Sequence, residues 1–287
     1  MLARFGSRVF GPGDLAVMAI VNRTPDSFYD GGANVELEAA LAAVDGAVVD
    51  GADMVDIGGV RAGYGAEVTA DEELARVLPV VAAVRERHPQ LVISVDTWRA
   101  EVAEEVIAAG ADLLNDTWAG ADPGLVEVAA RTGAGLVCSH TGGLGPRTDP
   151  HRVAYDDVVE DVANTVVAAA EAAVARGVRP DGILVDPTHD FGKNTWHSLE
   201  LTRRLDELVA HDWPVLVALS RKDFIGETLD LPPDERLEGT LAATAVSAWH
   251  GARVFRTHDV RATRRVLDTV ATIKGLRPPA VARRGLA

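Results

Sequence analysis

The chain has 287 residues, 47% of them hydrophobic, which fits one domain with a sizeable core and no linker-like or low-complexity break. Its 43 acidic against 28 basic residues give a net charge of −15, and that balance disfavours nucleic acid or an anionic membrane as a partner, since both need a basic field. The single Cys138 excludes an intrachain disulfide, and no window approaches 18 uncharged apolar residues, so a reducing, cytoplasmic setting is expected.

Residues 1–16 carry Gly11-Pro12-Gly13 and predict a short turn or hairpin ahead of the first strand, placed to plug the bottom of the domain. Short apolar runs then alternate with helical segments. AVMAIV ends at Asn22 before a helix over 35–50, and MVDI ends at Gly58-Gly59 before 71–87. LVISV ends at Asp96 before 98–109, and DLL ends at Asn115-Asp116 before 123–132. GLVC ends at Ser139-His140 before 155–176, and ILV ends at Asp186 before 194–210. VLVAL ends at Ser220-Arg221-Lys222 before 235–250, and RVF ends at Arg256-Thr257-His258 before 259–274. Runs of this length, bounded by glycine and polar residues, suit strands buried on both faces. Eight of them separated by helices predict a closed (β/α)8 barrel, the TIM-barrel class, as a single domain over 1–287.

Local punctuation supports that reading. Asp122 before Pro123 offers a capping oxygen followed by proline at a helix start. Gly51-Ala52, Gly110-Ala111 and Gly251-Ala252 each stop a helix just before a strand. The long loops, 22–34, 58–70, 139–154 and 220–234, all come after strands and so lie on the face where such barrels keep their chemistry.

Four groups of strand-end residues carry that chemistry. In NRTPDSFYDGG, Asn22, Asp26 and Asp30 offer oxygen ligands suited to Mg²⁺, although the same residues suit an Asx/Pro turn with solvated carboxylates. Asp96, Asn115 and Asp186 end three different strands, where unpaired burial is costly. Either each caps the following helix, or together they receive a flat heterocycle with several N–H donors. Lys193, Arg221, Lys222, Arg256 and His258 bring cations to the last three strands, the usual place for a phosphate, or are ordinary surface charges and a structural histidine. Isolated His140 and His189 make a weak case for zinc, and no Walker loop, H-E-x-x-H or C-x-x-C is present.

With these residues in view, the chain resembles dihydropteroate synthase across its length, through NRTPDSFYDGG, DIGG at 56–59, SVDT at 94–97, ND at 115–116, DPTHDFGK at 186–193, SRKDFIG at 220–226 and RTHDV at 256–260. The resemblance implies transfer of a dihydropterin from its pyrophosphate to p-aminobenzoate in folate biosynthesis. It implies that Asp96, Asn115, Asp186 and Lys222 bind the pterin ring with Phe191 beside it, and that Asp96, Asp186 and Lys222 serve the chemistry. It also implies Mg²⁺ on Asn22 and Asp30, with pyrophosphate on Arg256 and His258. In a dissociative displacement these groups stabilise the leaving pyrophosphate and the carbocation left behind.

The departures from the family are concentrated on the acceptor side. After DIGG the family shows Glu-Ser-Thr-Arg-Pro-Gly, whereas this chain has Val60-Arg61-Ala62-Gly63-Tyr64-Gly65. The Thr and Arg used for p-aminobenzoate and pyrophosphate are therefore Ala62 and Gly63, with Arg61 as the candidate replacement on pyrophosphate. The Ser after the last-but-one strand's Lys is Asp223, a carboxylate facing the place of a carboxylate. Val has become Arg23, Ser has become Tyr29, and Met-His-Met has become Ser139-His140-Thr141. The sequence thus points to a divergent transferase of the family acting on p-aminobenzoate or a variant acceptor. The alternative is a pterin-binding paralogue without classical synthase activity, in a regulatory or partner role. A folate-dependent methyltransferase is disfavoured by SRKDFIG and NRTPDSF. Ala/Val surface on 155–176 and 235–274 suggests a homodimer.

Overall fold

The computed structural model describes residues 1–22, 32–63, 65–148 and 154–284, the side chains of 32–36 excepted. Arg23, Asp26, Tyr29, Asp30 and Tyr64 lie outside the described residues. The chain opens with an antiparallel hairpin, β1 (Ala3–Phe5) and β2 (Arg8–Phe10), in which Ala3 faces Phe10. Eight strands come next: β3 (Ala16–Asn22), β4 (Met54–Gly58), β5 (Val92–Asp96), β6 (Leu113–Asp116), β7 (Gly135–Ser139), β8 (Ile183–Asp186), β9 (Leu216–Ala218) and β10 (Val254–Thr257). They pair in parallel in the order β8-β7-β6-β5-β4-β3-β10-β9, and a parallel bridge between Val185 and Val215 joins the two ends into a barrel.

Helices α1 (Gly32–Val49), α2 (Ala70–Arg87), α3 (Ala100–Ala108), α4 (Gly124–Thr132) and α5 (Val158–Ala175) each follow one strand. After β8 come α6 (Thr195–Arg203) and α7 (Leu205–Val209); after β9 come α8 (Asp223–Leu229) and α9 (Leu237–His250); α10 (Val260–Ile273) follows β10. The Gly-Ala stops behave as left-handed caps. Gly51, Gly110 and Gly251 have φ of 97°, 111° and 109°, and the next alanine donates back to Ala47, Val106 and Ser247 respectively. Asp122 caps twice, accepting from Gly124 N at 2.9 Å and from Ala100 N at 2.8 Å, and so ties α4 to α3.

Two elements differ from the sequence reading. The helix predicted over 194–210 is broken at Arg204, whose guanidinium donates to Asp157, Glu200 and Glu207. The stretch 220–234, read as loop, contains α8. Lys222 gives that helix no local cap; the Asp190 carboxylate supplies one from the neighbouring loop, accepting from Asp223 N at 2.7 Å.

The barrel interior is layered. Its lower layer takes one apolar residue from each strand: Met18, Met54, Val92, Leu113, Val137, Leu184, Leu216 and Val254. Phe5 and Phe10 of the hairpin press into the same cluster from below. Gly135 lies where this plug meets the staves, and a Cβ there would stand 2.7 Å from the Phe5 ring and 2.9 Å from Gly182 O. Gly135→Ala is expected to cost about 2 kcal/mol by overpacking, read as a lower urea midpoint with unchanged slope.

Candidate functional site

Side chains alternate along a strand, so residues two positions above the apolar layer face the same interior. On six of the eight strands they are Asp56, Ser94, Asn115, Ser139, Asp186 and Arg256, a polar tier on an apolar floor, while Ile20 and Ala218 hold the places above Met18 and Leu216. Asp56 is its centre and is fully buried. Its Oδ1 accepts from Ser94 Oγ at 2.5 Å, and its Oδ2 accepts from Asn115 Nδ2 at 3.0 Å and Arg256 Nε at 2.6 Å. A carboxylate this deep is tolerated because a guanidinium and two neutral donors surround it.

One step higher, Asp96 accepts from Arg256 Nη2 at 3.1 Å and Thr117 Oγ1 at 3.0 Å. Burial pushes its carboxyl up to about 7, Arg256 pulls it down, and nearby Asp56 adds to the rise. Across the cup, Asp186 accepts from Thr188 N at 2.7 Å. Burial raises its pKa, and Lys222 opposes the rise. Lys222 Nζ lies 4.7 Å over the Phe191 ring and donates to His189 O, while burial lowers its pKa. Phe191 in turn meets Trp118 edge-on at 5.3 Å. Asp96, Asn115, Asp186, Lys222 and Phe191 therefore border one cup. Ser139 Oγ is buried there with no partner among the described residues.

The other cations divide. Lys193 is buried and turned inward: its Nζ is within 3.1 Å of His140 Nδ1 and of the carbonyls of His140, Thr188 and Phe191. Burial and the charge of Lys222 push it down to about 7, while the charges of Asp186, Asp190 and Asp161 oppose the fall. It shapes the loop carrying Phe191, where Thr188, Asp190 and Gly192 take φ of 52°, 70° and 63°. His140 passes the contact outward to Asp161 at 2.8 Å, so it serves this scaffold and not a zinc site. Arg221 is paired with Asp259 at 3.0 Å. Exposed His258 meets Ser220 Oγ through Nδ1 at 3.0 Å.

On the acceptor side, Arg61, Ala62 and Gly63 lie in the loop between β4 and α2. Asp223 is largely exposed and accepts from Arg236 Nη1 at 2.8 Å. Its charge is thus balanced by Arg236. Asn22 closes β3 beside Gly58, where a Cβ would stand 3.8 Å from Asn22 Oδ1 and 3.9 Å from Asp96 Oδ2. These oxygens suit a hard cation, but among the described residues no group of three His, Cys, Asp or Glu side chains is placed to hold a metal.

The sequence model of the pterin binding enzymes matches residues 18–258. The chain belongs to the dihydropteroate synthase family. It is 61% identical over 275 residues to the inactive dihydropteroate synthase 2 of Mycobacterium leprae, covering 94% of each chain. Over 248 residues it is 40% identical to the dihydropteroate synthase of Escherichia coli, covering 86% of this chain and 87% of that one. Among solved structures it resembles the Yersinia pestis dihydropteroate synthase bound to a sulfonamide drug, with TM-score 0.87, 36% identity and coverage of 96% and 100%. It also resembles the Xanthomonas albilineans dihydropteroate synthase with 4-aminobenzoic acid, with TM-score 0.86, 36% identity and coverage of 98% and 99%. No described helix is long and apolar enough to cross a membrane.

Within this family, the sequence reading missed Asp56 because it sits inside the run MVDI; an acid within a strand buried on both faces was the available signal. Thr117 and Ser94 carried none. Asp96 generates the pH test. Its folded pKa lies above the ordinary carboxylate value, so its contribution is fully present below about pH 4 and is lost as pH rises to about 7. The melting temperature of Asp96→Asn relative to wild type should therefore climb across pH 4 to 7 and then level off, as tracked by thermal scans of the unliganded protein.

Proposed function

We propose that this protein binds a dihydropterin pyrophosphate in the barrel cup and does not condense it with p-aminobenzoate at the rate of its catalytic relatives. The observation that carries the reading is an asymmetry. Asp96, Asn115, Asp186, Lys222 and Phe191 border one cup, while the loop after β4 brings Ala62 and Gly63 in place of a hydroxyl and a guanidinium. Naming of the Mycobacterium leprae relative as inactive, at 61% identity, supports it.

The cup suits an aminopyrimidinone on simple grounds. Asp186 and Asp96 accept N–H groups, Asn115 and Lys222 donate to ring oxygen or nitrogen, Phe191 covers a face, and Ser139 Oγ offers an unspent hydroxyl. Arg256, His258 and Arg61 would hold the pyrophosphate. Arg256 is shared by Asp56 and Asp96, so it must loosen from Asp96 to reach a phosphate oxygen. Asn22, with Asp30, would hold Mg²⁺, which when bound neutralises pyrophosphate oxygens. At the two positions that differ from the family, Ala62 and Asp223, no side-chain donor is offered to the arylamine's carboxylate: Ala62 has only a methyl group, and Asp223 is a carboxylate already paired with Arg236. Without a positioned nucleophile, a stabilised cation has no productive partner.

Calorimetry with 6-hydroxymethyl-dihydropterin pyrophosphate and Mg²⁺ should show binding that weakens at least about tenfold in Asp186→Asn, the loss of one charged hydrogen bond. Saturating p-aminobenzoate should yield little or no dihydropteroate, and Ala62→Thr with Asp223→Ser should raise the yield. Turnover by wild type matching the Escherichia coli enzyme would overturn the inactive reading, and absence of heat with the pterin would overturn the binding.

A further inference from the structure

The loop after β8 and the start of α8 are latched to each other in both directions. From the loop, Asp190 Oδ2 accepts from Asp223 N at 2.7 Å and Phe224 N at 3.3 Å, the first two amides of α8. A helix leaves its first amides unpaired, and here Lys222 O receives only from Ile225 N and Gly226 N. From the helix, Lys222 Nζ donates to His189 O, the carbonyl directly before Asp190. The His189 ring closes the joint, stacked on Phe224 at 5.6 Å.

Asp190 is itself held from a third element. Ser198 of α6 donates Oγ to Asp190 Oδ1 at 3.0 Å and accepts from Asp190 N at 3.1 Å. Asp190 takes a φ of 70°, a backbone that glycine adopts with less strain, so what an aspartate adds here is its carboxylate. Lys222, the group so placed, stands 4.7 Å over Phe191 at the cup. The charges facing it are Asp186 of β8, Asp190 and Lys193 of the loop after β8, Asp223 of α8 and Arg256 of β10, with the His189 ring beside them. Burial lowers the Lys222 pKa; Asp190, ahead of Asp186, opposes that fall, and Arg256 adds to it.

We propose that Asp190 is a positioning residue for Lys222: its carboxylate pins the backbone that carries the lysine and lends the ammonium a counter-charge. The clamp rests on geometry; its effect on a bound pterin rests on the function proposed above. Asp190 acts only through Lys222.

Two variants separate the two roles. Asp190→Gly suits the left-handed backbone and removes the carboxylate, whereas Asp190→Asn keeps an accepting oxygen and removes the charge. In Asp190→Gly, exchange of the Asp223 and Phe224 amides should quicken about tenfold, the scale of one hydrogen bond to a charged group. In Asp190→Asn it should quicken far less. The chain has three lysines, Lys193, Lys222 and Lys274, so carbon NMR of their side chains follows Lys222 directly, assigned through its loss in Lys222→Arg. Its titration midpoint should fall in both variants, by about half a pH unit or more, since the ammonium loses a counter-charge. Calorimetry with the dihydropterin pyrophosphate should show several-fold weaker binding in Asp190→Gly. In Asp190→Asn, affinity should match wild type below the Lys222 midpoint and fall away at a lower pH as the solution turns alkaline.

Unchanged amide exchange in Asp190→Gly overturns the latch. Faster exchange with an unmoved Lys222 midpoint in both variants reduces Asp190 to a helix cap and overturns the proposal. Should Asp190→Gly misfold, the Asp190→Asn midpoint decides alone. If wild type binds no pterin, the proposed function fails, while exchange and titration, both read without ligand, still decide the clamp.

Discussion

A carboxylate at the centre of a β-barrel is the constraint around which this molecule is organised. Asp56 cannot be buried as an ion without compensation, and the compensation comes from three other strands: Ser94 of β5, Asn115 of β6 and Arg256 of β10. Those contacts fix the register of the polar tier against the apolar floor below it. They also place Arg256 between two acids, so the cation on the last strand is coupled to the wall of the cup through Asp96. Removing Asp56 would leave Arg256 with Asp96 alone and would take from Ser94 and Asn115 the acceptor they share, which is why no single member of the tier can be read alone.

Around that centre, the two halves of the mouth are built by different physics. The side formed by β8 and its loop is over-determined: Lys193 gathers carbonyls from two loops, Asp190 reaches over to cap α8, and two non-glycine residues, Thr188 and Asp190, accept left-handed backbone conformations within it. Such strain persists only where many contacts hold it, and here it serves to present Phe191 and to aim Lys222. The opposite side, the loop after β4, carries small residues whose carbonyls are held by arginines from other elements. Its backbone serves as an acceptor for its neighbours.

The barrel and the face of the site emerge from patterns a few residues long. An apolar run between glycine and a polar residue defines a strand, a Gly-Ala pair closes the preceding helix, and strand-end Asp96, Asn115 and Asp186 must stand at the mouth once the runs are parallel. Those inferences need only local sterics and the period of the chain. Even Asp122 capping α4 is legible, because the oxygen and the amide it binds are two residues apart.

What only the tertiary structure decided is every pairing made across the ring. Asp56 and Arg256 are 200 residues apart, Lys193 and His140 are 53 apart, and Arg147 lies 84 residues from Gly63. No local period relates such positions; barrel closure and strand register bring them together. The sequence by itself determined that the barrel forms and which residues stand at its rim. The closed ring decided that Lys193 turns inward, that Asp223 finds Arg236, and that α8 begins where Asp190 can reach it, because a charge is satisfied by whichever partner the fold carries to it.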